Sequence, residues 1–148
     1  MKMKQKPYIR EYRLEDYAEV DRLWIETGMG SSVRGDDHQT IEETIQMGGK
    51  LFILEDTTSG RIIGTSWLTN DGRRIYLHHF GISPEFQGQG LSKDLLKASL
   101  DFAISVDKQI KIEVHQLNSK AVKLYTDAGF NYLGDYDVYI IRDYKNLN

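Results

Sequence analysis

The sequence predicts an α+β fold: one mixed, mainly antiparallel central sheet with helices on both faces. Three observations carry this expectation. Three strand-like segments run in succession between residues 50 and 83, strand and helix patterns alternate after them, and the helical segments carry apolar residues on one stripe. No internal repeat or low-complexity linker divides the 148 residues. A single domain spanning 1–148 is therefore expected, long enough to bury roughly 68–70% of the surface that its unfolded chain exposes.

YIREYR (8–13) alternates and reads as a strand, and Glu15 to Thr27 then places Tyr17, Val20, Leu23 and Trp24 on one helical face. GMGSSVRGDDHQ (28–39) is a loop. Its adjacent Asp36 and Asp37 suit the entry of a second helix from about Thr40 to Met47, which Gly48 and Gly49 stop. KLFILED, RIIGTSWLTN and RRIYLHHFGIS read as three strands of an antiparallel meander, joined by TTSG and by the tight-hairpin signal NDG. A helix over 90–106 follows, with Leu91, Leu95, Ala98 and Phe102 on one stripe. QIKIEVHQ (109–116) alternates as a strand, NSKAVKLYTDAG (118–129) reads as a helix, and YLGDYDVYIIRDY closes the chain with strands. Alternation in a terminal strand accounts for Tyr132, Tyr136, Tyr139 and Tyr144 without a ligand.

Composition narrows the function classes. Hydrophobic residues at 40% and charged residues at 28% are ordinary for a globular domain. The absence of cysteine excludes disulfides and thiolate metal sites and fits a reducing cytosol, so a cytoplasmic location is expected. MKMKQK runs into PYIREYR without an apolar stretch and does not read as a signal peptide, and no apolar run approaches the ~20 residues of a spanning helix. A net charge of −3 and a pI near 5.8 leave no footprint for nucleic acid and lean toward cationic partners. Neither nucleic acid nor membrane is an expected partner. A homodimer through exposed terminal strands is compatible with the sequence.

The most informative stretch is PEFQGQGLS (84–92), at the junction of a strand and a helix. A helix N-terminus carries unpaired N–H groups and about half a positive charge, which favours an anion if side chains leave room. Gly88 and Gly90 leave that room, and consecutive amides there can form a concave nest. By itself a GxG is also simply a turn that contains glycine. A Walker loop is excluded because no Gly-Lys-Ser/Thr follows, and the dinucleotide fingerprint fails because Lys93 holds the third glycine position.

GISPEFQGQGLSKDLL resembles the acyl-coenzyme A binding segment of the GNAT superfamily of N-acetyltransferases, whose pattern is Gln/Arg-x-x-Gly-x-Gly/Ala. Gln87, Gly90 and Ser92 stand on its three positions, Ser92 being a departure. NSKAVKLYTDAGF resembles the downstream segment of the same family, with Asn118, Tyr125, Gly129 and Phe130 on its marked positions. With the opening IREYRLEDYAEVDRLW, the resemblance covers nearly the whole chain.

The resemblance implies acetyl-CoA (coenzyme A) as acyl donor, no metal, and transfer to an amine. It implies cofactor contacts at Phe80, Gly81, Ile82, Gln87, Gly88, Gln89, Gly90, Leu91, Ser92, Asn118 and Tyr125. The amides around Phe80 to Ile82 would bond the pantetheine arm and the thioester oxygen, and Gly81 suits a bulge there. Tyr125 matches the family's general acid, protonating the departing thiolate; a lone helix tyrosine would otherwise read as core.

The base stays open at this stage. Where several members of the family carry a glutamate, this chain has Tyr76. Glu113 matches a glutamate that protein-N-terminal members use, in IKIEVHQ with Ile110, Ile112 and Val114 facing the other way and His115 sharing its face; it equally fits a solvated strand carboxylate. His78 is an alternative base, with an ordinary pKa of about 6.5. His78 and His79 are expected on opposite strand faces, which makes them a poor metal pair. Asp36 and Asp37 are offered to a cationic acceptor.

Three functions from different classes are thus weighed. The leading one is an acetyl-CoA-dependent N-acetyltransferase acting on a primary amine of a small molecule or peptide by direct attack in a ternary complex. The second is a catalytically silent acyl-CoA-binding regulatory module, against which Tyr125 argues. The third is a phosphate-binding or RNA-binding domain, disfavoured by the acidic balance.

Overall fold

The structure is a computed structural model and describes residues 5–30 and 35–147. Positions 1–4 of the basic opening segment and 31–34 of the long loop lie outside the described residues. The chain divides into two compact units, residues 1–113 and 114–148.

The first unit is a five-stranded sheet in the order β1 (Tyr8–Glu11), β2 (Lys50–Glu55), β3 (Ile62–Asn70), β4 (Arg74–Ile82), β5 (Gln109–Ile112). The first four strands pair antiparallel and β5 joins β4 in parallel. The NDG turn between β3 and β4 closes as its sequence demands: Gly72 has φ +88, and one Asp71 carboxylate oxygen accepts from the amides of Arg73 and Arg74, both at 2.7 Å.

Alternation along the strands builds two apolar faces. On one, Leu51, Ile53 and Trp67 pack with Val20, Leu23 and Trp24 of α1 (Tyr17–Thr27) and Ile41 of α2 (His38–Gln46). The two tryptophans stack at 5.3 Å between centroids. Each buried indole N–H is satisfied, Trp24 donating to Thr65 Oγ1 and Trp67 to Thr44 Oγ1, both at 2.9 Å. On the other face Leu54, Ile63 and Ile82 pack with Leu91 and Leu95 of α3 (Leu91–Ser105), and the buried hydroxyls of Ser66 and Ser99 bond each other at 2.7 Å. Helices thus cover both faces of a mostly antiparallel sheet, as the patterning predicts.

The start of α1 is held by a polar cluster. Arg10 binds Asp16 through two parallel bonds of 2.8 Å and Glu55 at 3.0 Å. Burial opposes ionisation of Asp16, but the Arg10 guanidinium and the Arg13 amide hold its carboxyl below the ordinary value. Helix α2 begins at His38 rather than near Thr40 because Asp37 caps it, accepting from the Thr40 amide at 2.8 Å.

Three expectations are corrected here. Strand β5 ends at Ile112 instead of running to 116, so Glu113 follows the strand instead of standing in its middle, and the residues that follow turn toward Asn118. The closing segment 131–143 forms no strand among the described residues. Its alternation marks strand propensity, but a strand exists only when a neighbour completes its hydrogen-bond ladder, and nothing in the second unit does so.

The third correction concerns the histidines. Pairing of β3 with β4 jumps from Thr65↔Gly81 to Trp67↔His78, so His79 and Phe80 together oppose Ser66. The bulge therefore lies two residues and one residue before Gly81, at His79 and Phe80, with φ +42 at His79. The extra residue breaks the alternation, and His78 and His79 lie on the same face, their ring centroids 6.5 Å apart.

The second unit contains α4 (Ser119–Asp127) and a short 3-10 turn at Tyr144–Asn146. Among the described residues no helix is long and apolar enough to cross a membrane.

Candidate active site

The turn from β4 to α3 is built to present backbone. Pro84–Phe86 forms one 3-10 turn. The Gln87 side-chain amide donates back to the Ile82 carbonyl at 3.0 Å, tying the start of the glycine segment to the end of the strand. Gly88 and Gly90 both have φ +80, a conformation that L-residues adopt at a cost, and a Cβ built at either would meet nothing within 4 Å. Gly90 is the N-cap of α3 and offers no side chain to its amides. Gln89 is exposed beside them. Leu91 is buried in the core and Ser92 lies in the first turn, so from Leu91 only the main chain can face an anion. This geometry suits an anion such as a pyrophosphate: the start of a helix without a side-chain cap, preceded by two glycines that put no side chain beside its amides.

Before that turn, the β4–β5 ladder ends at Leu77↔Ile112, while β4 itself continues to Ile82. Ile82 is buried and Gly81 faces Met29, whose sulfur would lie 2.8 Å from an added Cβ.

Beside the end of the ladder lies a polar group that sequence reading did not assemble. The Tyr76 hydroxyl donates a hydrogen bond to Glu113 Oε1, the Tyr76 ring stacks on His78 at 4.4 Å and 11°, and His78 Nε2 lies 2.9 Å from Thr69 Oγ1. The Lys111 ammonium stands 5.6 Å from the Tyr76 ring centre. Burial, then the bond to Glu113, pushes the Tyr76 phenol up, so it remains a proton donor. Burial, followed by neighbouring His79, pushes His78 down from 6.5; Glu113 and Asp36 oppose this without reversing it. His78 is thus neutral near pH 7, as a base must be.

His79 is engaged differently. Its ring meets Trp24 and Trp67 edge-on at 4.6 and 5.2 Å, and its Nε2 lies 3.0 Å from Asp36 Oδ2. Asp36 is therefore tied to the sheet and Asp37 caps α2, and neither matches the simple picture of a pair presented to a cationic acceptor. The signal for the Tyr76–Glu113 contact was present in the sequence only as YLH and KIE, two i/i+2 pairs that the parallel register Tyr76↔Lys111 brings to one face.

In the second unit, Asn118 caps α4, its side chain accepting from the Ala121 amide at 3.2 Å. Tyr125 is 6% exposed and meets Phe130 edge-on at 5.6 Å; burial pushes its phenol up to about 12. His115, expected to share a strand face with Glu113, instead accepts from the Leu117 amide at its Nδ1 within a turn.

Residues 31–138 match the family described as Acetyltransferase (GNAT) domain. The chain belongs to the GNAT acetyltransferase family. Among curated proteins this GNAT chain is 30% identical over 102 residues to mycothiol acetyltransferase of Clavibacter sepedonicus, covering 68% of this chain and 33% of that protein. It is 33% identical over 70 residues to the spermine/spermidine N(1)-acetyltransferase of Bacillus subtilis (strain 168), 46% of each. It is 26% identical over 154 residues to the spermidine N(1)-acetyltransferase of Escherichia coli (strain K12), 97% of this chain and 82% of that one. The chain spans between a third and a half of the first two relatives. Among solved structures, an acetyltransferase from Streptococcus agalactiae 2603 superposes with a TM-score of 0.75 at 22% identity, over 93% of this chain and 92% of that chain. The yncA protein of Salmonella typhimurium, solved with its cofactor acetyl-CoA, gives 0.70 at 18% identity, over 86% and 80%. These two show the shared GNAT fold.

Proposed function

We propose that residues 1–148 are one N-acetyltransferase domain that uses acetyl-CoA to acetylate a primary amine of a small molecule or peptide, by direct attack in a ternary complex. The observation that carries this reading is the Gly88–Gly90 turn, where an added Cβ would meet nothing within 4 Å, at the start of a 15-residue helix in a chain of the GNAT family. The names of the relatives, which include spermine/spermidine N(1)-acetyltransferases and the N-alpha-acetyltransferase RimI of Mycobacterium tuberculosis (strain ATCC 25618 / H37Rv), support an amine as acetyl acceptor.

Each residue has a task. The backbone from Gln87 to Ser92 holds the pyrophosphate of coenzyme A, with Gly88 and Gly90 clearing the approach. The amides of Phe80, Gly81 and Ile82 bond the pantetheine arm and polarise the thioester carbonyl. Bound acetyl-CoA supplies the activated thioester. Glu113 removes a proton from the attacking ammonium, directly or through water, and His78 is the second group placed for that role. Tyr125, protonated far above neutral pH, donates to the departing thiolate, and Asn118 shapes the same segment by capping its helix.

The test is a panel of primary amines incubated with purified protein and acetyl-CoA, read by free thiol release. Thiol release that depends on the amine, with an acetylated product found by mass spectrometry, supports the enzyme. Acetyl-CoA binding with no product across polyamines, amino acids, aminoglycosides and peptides favours the silent binding module.

A further inference from the structure

On the reading that Glu113 is the base, we propose that Tyr76 is its positioning residue: the phenol holds carboxylate Oε1, which aims Oε2 at the acceptor amine although the glutamate stands just beyond the end of its strand. Glu113 follows the last residue of β5 and is exposed, so its rotamers would average freely without a partner. The Tyr76 hydroxyl removes that freedom at one oxygen. Oε2 makes no hydrogen bond among the described residues and stays available to an ammonium or a water.

Tyr76 is itself fixed from several sides. His78 stacks on its ring at 4.4 Å, and Thr69 secures His78 at 2.9 Å. Lys111 stands 5.6 Å from the ring centre, its cation against the aromatic face. The next ionisable pair on this face is His79 with Asp36, 3.0 Å apart, the His79 ring lying 6.5 Å from that of His78 between centroids. Held at one oxygen, Glu113 serves by ordering the amine and passing its proton onward to solvent.

Turnover is measured for Tyr76→Phe, Glu113→Gln and the double variant from pH 6 to about 9.5, bracketing an α-amine pKa of about 8. Loss of a hydrogen bond to a charged group lowers turnover about 10–100-fold at pH 6 to 7 in Tyr76→Phe. The deficit narrows as the amine becomes neutral, acetyl-CoA affinity is unchanged, and the double variant falls no further than Glu113→Gln within a factor of about two. Parental turnover in Tyr76→Phe beside an impaired Glu113→Gln overturns the positioning role and leaves the base intact. Deficits that multiply, or that do not vary with pH, also overturn it. A silent Glu113→Gln overturns the base and the positioning role together. A readout independent of turnover is the tyrosine absorbance titration: Glu113→Gln brings one tyrosine to a lower pH, a step absent when Tyr76 is also phenylalanine. An unchanged titration overturns the contact itself.

Discussion

Replacing Gly90 with valine separates what the backbone needs at this position from what a bound anion needs. Gly90 sits at φ +80 and ψ 2, and a Cβ there meets no atom within 4 Å. The folding penalty is therefore the left-handed conformation alone, about 1–2 kcal/mol, which lowers the midpoint of a domain of this size by about 2–8 °C. The binding penalty is larger. A side chain over the first amides of α3 withholds two charge-assisted bonds to a pyrophosphate, each worth about 1.5–3 kcal/mol, so acetyl-CoA affinity falls by more than about 100-fold. Gly72 provides the control, since it has φ +88 in the β3–β4 hairpin and equally open surroundings. Gly72→Val should lose similar stability and keep parental affinity. Titration calorimetry with acetyl-CoA on the folded proteins decides between them. Parental affinity in folded Gly90→Val would refute the assignment of this turn to the pyrophosphate.

Tyr125→Phe should reduce turnover about 10²–10⁴-fold at constant acetyl-CoA affinity, and equal turnover would end its role as proton donor. Because burial pushes the Tyr125 phenol up from about 10 to about 12, its share of stability is complete below pH 10 and disappears as pH rises through 12; alkaline unfolding of Tyr125→Phe should lack that component. His78 titrates in the opposite sense: with its folded value lowered, its contribution is complete above pH 6.5 and is lost as pH falls through the lowered value, so His78→Asn should flatten the decline in thermal midpoint on acidification from pH 7.5 to 5. Asp16→Asn leaves the Arg10 guanidinium half-answered in a largely buried site and should cost about 3–5 kcal/mol in urea unfolding, with acetyl-CoA binding altered only through the loss of folded protein.

Local chemistry was legible in the sequence. Apolar spacing placed α1 and α3 to within a residue or two, because a helix face is set by residues three and four apart along one segment. The NDG hairpin and the Gly88–Gly90 turn were equally legible, since glycine at φ near +80 is a property of the residue and its neighbours. The two GNAT segments pointed to the family for the same reason. What depends on strand register could be decided only by the tertiary structure. At the bulge opposite Ser66, Thr65 donates its hydroxyl to the His79 carbonyl at 2.7 Å and His79 packs on two tryptophans from other elements, and the bulge turns both histidines to one face. The same holds for Tyr76 and Glu113, 37 residues apart and joined only by the parallel pairing of β4 with β5. The tail 131–143 marks the limit from the other side: alternation supplied the propensity for strands, but a ladder needs a partner, and none is present among the described residues of its unit.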